Sequence, residues 1–153
     1  MSKNGTSEYW LRRNFKEVLS LPDNACDWLI DFWNVIQVFD DVVDGDDIDR
    51  DDADRAIWSA IVGLPQNGFF QEYSTILLPL MASLVLKWKA SDTVERNGEA
   101  CAMSFVWRAG YYDLVLAAVH LCHGPEVAMD IGHAVITLYG ESLEDYMKEM
   151  RNA

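Results

Sequence analysis

Asp40, Asp41 and Asp44 close a helix-like segment that runs directly into Gly45-Asp46-Asp47. The D-D-x-x-D spacing sets Asp40 and Asp44 one helical turn apart. Two carboxylates so placed can share a hard divalent cation such as Mg²⁺, whose remaining positions take water and phosphate oxygens. Three carboxylates at a helix C-terminus also oppose the helix dipole, so they stand where helix stability alone would place cations. At about 100° per residue, Asp41 falls with Asp31, Asn34 and Gln37 on a polar side. Asp40 falls with Leu29, Trp33 and Ile36 on an apolar one, and Asp44 lies at the border. The expectation is that Asp40 is buried or ligated and that Asp41 faces water, because a carboxylate aimed into an apolar face needs a cation, a proton or a donor. The alternative is a helix end running into a solvated acidic loop.

Further along, the only charged or titratable side chains between Cys101 and Cys122, besides tyrosine, are Arg108, Asp113 and His120. A helix so apolar is expected to be central, and its charged groups to have buried partners. Asp113 and His120, seven residues apart, share a face. Asp113 could complete a metal site with Asp40 and Asp44, or could pair with an arginine or accept tyrosine and tryptophan hydrogens. Arg108 could hold a phosphate group of a ligand or neutralise a carboxylate. His120, Cys122 and His123 lack the spacing and number of a zinc site. Asp47-x-Asp49-x-Asp51 resembles a calcium loop but lacks its glycine and closing glutamate, with Asp52 and Trp58 in those places. No G-x-S-x-G, Walker A or G-x-G-x-x-G pattern is present.

The elements that must position these residues read as helices throughout. Ser7 caps a first helix to about Leu19, Pro22-Asp23-Asn24 turns the chain, and Ala25–Asp44 forms a long second helix. After an acidic loop, Asp51 or Asp52 caps a third helix stopping near Gly63, ahead of Pro65. Phe69–Lys89 reads as one helix kinked at Pro79 or as two short ones. Asp92 with Glu95 resembles a capping box for a long fifth helix ending at His123-Gly124-Pro125. A sixth runs from Glu126 to about Met150, bent near Gly140. The expected fold is all-α: a single domain over residues 1–153, built as one bundle of about six helices.

Three segments carry a resemblance. Asn14–Gly45 resembles the opening of a phytoene or squalene synthase, with an aromatic, a Leu-Pro turn and a helix ending in D-x-x-x-D, matched by Asp40 and Asp44. Val106–Asp113 is similar to the family's tyrosine-rich V-A-G-x-V-G helix, with Asp113 where the family has a cavity-lining glycine. Glu141-Ser142-Leu143-Glu144-Asp145 resembles the second acidic motif, D-x-x-E-D, with Glu for its first Asp. The resemblance is to a shortened, divergent relative of these class I isoprenoid synthases. It implies a reduced isoprenoid-synthase-like bundle with two acidic motifs facing each other across a cavity. Asp40 and Asp44 on one side, with Glu141 and Asp145 on the other, would hold magnesium ions that grip a prenyl diphosphate. Any catalysis would then be Mg²⁺-dependent and prenyl-transferase-like.

Composition narrows the alternatives. The 153 residues carry a net charge of −13, and nine of the 25 acidic residues fall between Asp40 and Asp54. That balance argues against direct binding to nucleic acid or to an anionic membrane. The Met1–Arg13 stretch has no apolar core of signal-peptide type, and Ile76–Leu86 is too short to cross a bilayer. Three cysteines without C-x-x-C spacing suit free thiols in the cytoplasm. Beside the diphosphate reading stand a non-catalytic acidic module that binds a protein partner or mimics nucleic acid, and an all-α nucleotide pyrophosphohydrolase. A homodimer is a further expectation, since a short chain leaves apolar faces exposed.

Overall fold

The computed structural model describes residues 5–153; the first four residues of the Met1–Arg13 stretch lie outside them. Among the described residues all regular structure is helical. The elements are α1 (Gly5–Glu17), α2 (Asp23–Asp44), α3 (Arg50–Trp58), α4 (Leu64–Gln66), α5 (Gly68–Arg96), α6 (Ala102–Arg108), α7 (Tyr111–His123), α8 (Pro125–Ile131) and α9 (Leu143–Arg151). A π turn, Ser59–Gly63, joins α3 to α4, and a 3₁₀ segment, Gly132–Leu138, follows α8. The chain divides into two compact units, one ending at Ser74 and the other running from Thr75 to Ala153.

The first unit is organised by α2. Trp28 is fully buried, stacked on Phe32 at 5.5 Å and on Phe70 at 5.7 Å, with the edge of Phe69 at 6.0 Å. Phe15, Leu19, Leu29 and Ile30 are also fully buried. Salt bridges Arg12–Asp27 and Lys16–Asp23, both 2.6 Å, tie α1 to the start of α2. Gly45 ends α2 in the left-handed conformation (φ 75°) that glycine adopts without a Cβ clash, donating back to the Val42 carbonyl. Asp49, rather than Asp51 or Asp52, caps α3, accepting from both of their backbone N–H groups. The acidic loop therefore serves the helix that follows it, which is the ordinary use of aspartate at an N-terminus. Helical structure continues past Gly63: the π turn absorbs an extra residue, and Pro65 sits in the first turn of α4, where its missing N–H costs nothing.

In the second unit the expected long fifth helix is three pieces. Asn97-Gly98 ends α5, with Gly98 at φ 76°, and Ala109-Gly110 separates α6 from α7. A Cβ on Gly110 would lie 3.4 Å from the backbone of Leu84, so glycine lets the start of α7 approach α5. The expected sixth helix is likewise broken, into α8, the 3₁₀ segment and α9. The non-helical point in α5 is Tyr73 (φ −115°, ψ 17°), beside the boundary between the units, and not Pro79. Among the described residues α5 is the one helix whose length and composition would suit a membrane span. Its charge-free stretch, 73–86, rises only about 21 Å, against roughly 30 Å of hydrocarbon. No clear membrane span results, although Ile76, Leu78, Val85 and Leu86 are all about half exposed or more.

Candidate functional site

Asp40 and Asp41 are both half-buried and Asp44 is exposed, so the expected contrast between a sequestered Asp40 and a solvated Asp41 is absent. The reason lies in the side of α2 that reads as polar. Asn34, on that side, is fully buried, and neither its amide oxygen nor its amide nitrogen bonds a protein group. Asp31, three residues earlier, faces α3, where Arg55 reaches it at 3.4 Å. The same guanidinium holds Glu8 of α1 by both nitrogens, Nη2 at 3.1 Å from Oε1. One arginine thus links α1, α2 and α3 on the side of α2 that reads as polar.

Burial raises the pKa of Asp31, with the Arg55 charge pulling the other way. A carboxyl that binds its proton more tightly when folded stabilises the fold below its unfolded pKa, and loses that contribution as pH rises through the folded value. Asp31→Asn should therefore flatten the decline of stability between acid and neutral pH, as followed by denaturant titration at a series of pH values. Parallel curves for the variant and the wild type would remove Asp31 as the source.

The remaining predicted ligands lie in the second unit. Glu141 is half-buried, and its pKa is raised by burial, with nearby Arg108 opposing. Asp145 is exposed in the first turn of α9, and its backbone N–H donates to Ser142 Oγ at 3.1 Å. Serine at the cap with Glu144 and Asp145 behind it is what a helix N-terminus favours on dipole grounds alone. Among the described residues no group of three or more His, Cys, Asp or Glu side chains could hold a metal ion.

Arg108 is occupied by a buried network. Its Nη1 lies 3.4 Å from Glu95 Oε1, and its guanidinium stands 5.5 Å over the ring of Tyr146. Tyr146 is fully buried and donates to Glu95 at 3.0 Å, while Ser104 Oγ lies 2.7 Å from the Tyr146 hydroxyl. The backbone N–H of Cys101 donates to Ser104 at 2.9 Å, so a chain of hydrogen bonds runs from the start of α6 to a carboxylate on α5. This is the neutralising role open to Arg108 in the sequence. Asp113 is exposed and pairs with Lys87 of α5 at 2.9 Å; its partner is a lysine, and the pair is not buried.

Asp113 nevertheless lines an open groove of about 1110 Å³ in this unit. Leu80 of α5, Val106 of α6, Leu116 of α7, Met129 of α8, Ile136 of the 3₁₀ segment and Tyr139 beyond it form much of its wall. The expected shared face of Asp113 and His120 holds, since both line the groove. The 3₁₀ segment is held close to α7 at two points. Tyr112 donates from its hydroxyl to the Leu138 carbonyl at 3.3 Å, and a Cβ on Gly132 would come 3.1 Å from Leu116. Met129 and Ile136 are 79% and 77% exposed, so the wall presents large apolar side chains to water.

Sequence reasoning did not find Met129, Ile136 or Tyr139, because it assigned them to one continuous helix. Gly132 and Gly140, which bracket the 3₁₀ segment and the turn after it, were the available signal. No family model, curated protein or solved structure matches the chain.

Proposed function

We propose that this chain is an apolar-chain-binding protein of isoprenoid-synthase-like type, derived from proteins that act on a prenyl diphosphate. The observation that carries the reading is the groove. At about 1110 Å³ it has room for a ligand of about fifteen carbons, and it is walled by apolar side chains that a hydrocarbon would cover. No lysine or arginine lines it, so the groove by itself supplies no cation for a diphosphate head. The magnesium reading therefore rests on Asp40 and Asp44 together with the resemblance, and the hydrocarbon reading rests on the groove.

Isothermal titration separates the two. Farnesol should bind the wild type and lose about tenfold or more in Ile136→Glu, a substitution at an exposed position that places a charge against the chain. Asp40→Ala should leave farnesol binding unchanged. If Mg²⁺ tightens farnesyl diphosphate binding in the wild type but not in Asp40→Ala, the acidic motif holds the ion. Absence of heat with either prenyl ligand would sink the reading.

A further inference from the structure

Asp113 is the one carboxylate among the residues that line the groove, and Lys87 donates to its Oδ2 at 2.9 Å. Three aromatic rings, Phe105, Tyr112 and Tyr139, line the same groove. The Tyr139 centroid lies 5.1 Å from each of the other two, at interplanar angles of 48° and 74°. Rings tilted in this way turn their electron-rich faces in several directions, and such faces attract cations within about 6 Å. Behind the cluster, Tyr146 lies 5.2 Å from Phe105 and carries the Arg108 guanidinium over its ring. The other titratable groups lining the groove are His120 and His133, and the Nδ1 of His133 lies 3.1 Å from the Asp130 carbonyl of its own turn.

We infer that the groove selects a ligand by a cationic head: an amphiphilic ammonium ion, its alkyl chain along the apolar wall and its charge between the Asp113 carboxylate and the faces of Tyr112 and Tyr139. The inference rests on the chain-binding reading above and adds the head group to it. The Lys87–Asp113 pair does not bar this. It is solvent-exposed, with Asp113 57% accessible, and exposed pairs of that kind contribute little and rearrange readily. An anionic head would instead meet the Asp113 carboxylate on a chain of net charge −13.

Three probes sharing one chain test it: decyltrimethylammonium, decanol and decyl phosphate, titrated calorimetrically below their aggregation concentrations into the full-length protein. The ammonium should bind about tenfold tighter than the alcohol, with the phosphate weakest. Asp113→Asn, at an exposed position, should erase most of that advantage while leaving decanol unchanged. Raising salt should narrow the gap between ammonium and alcohol. Equal binding of alcohol and ammonium, or tightest binding of the phosphate, overturns the cationic head and leaves the chain-binding groove standing. Failure of all three probes to bind overturns both.

Discussion

Trp28→Ala is expected to lower the stability of the protein by about 3–5 kcal/mol, read as a large fall in the denaturant midpoint. The side chain is wholly enclosed, and it is the ring on which Phe32 and Phe70 stack from two sides. Truncation would leave a cavity between α2 and the start of α5 that stiff, stacked neighbours cannot close. Domains are stable by only about 5–15 kcal/mol, so the loss is a large share of the total. Trp28→Phe is the control. The indole nitrogen is buried without a hydrogen-bond partner, so phenylalanine removes an unsatisfied donor while keeping a stacking ring. It should cost no more than about 1.5 kcal/mol. An equal loss for the two variants would show that ring stacking is not what holds this region.

Tyr146→Phe should cost about 2 kcal/mol with little change in shape. The hydroxyl is buried and sits in the middle of a relay, taking a bond from Ser104 and giving one to a carboxylate that Arg108 also neutralises. Its removal deprives Glu95 of a donor and leaves the Ser104 hydroxyl with only the backbone of Cys101, accepting from its N–H at 2.9 Å and donating to its carbonyl at 2.8 Å. Groups that share one network do not add independently. Combined with Glu95→Gln, the double variant should therefore lose clearly less than the sum of the single ones in equilibrium unfolding. Strict additivity would mean that the relay is not a unit.

The helical nature of every segment was legible because apolar residues recur at helical spacing and no stretch alternates as a strand does. The stop of α2 at Gly45 was an equally local matter, whereas the cap at Ser142 falls inside what reads as one continuous sixth helix. Helix lengths were less legible. Asn97-Gly98 and Ala109-Gly110 carry turn signals, yet apolar runs on both sides read as continuous helix. Whether a glycine ends a helix or is carried within it depends on what packs beside it, here Leu84 against Gly110. The break in α5 shows the same limit. Proline removes one hydrogen bond wherever it stands, but the departure from helical geometry falls at Tyr73, six residues before Pro79.

The candidate site divides along the same line. Sequence alone determined that Asp40 and Asp44 lie a turn apart at a helix end, that Asp113 and His120 share a face, and that Arg108 needs an anionic partner. Each of these is a consequence of helical spacing or of the cost of an unpaired buried charge. Only the tertiary structure decided that the polar-reading side of α2 is partly enclosed, with Asn34 buried and Asp31 met by Arg55 from another helix. It likewise decided that Asp113 meets Lys87 at the rim of a groove. The wall of that groove comes from five successive helical segments and Tyr139 after them, and no local pattern records which of their apolar side chains remain uncovered.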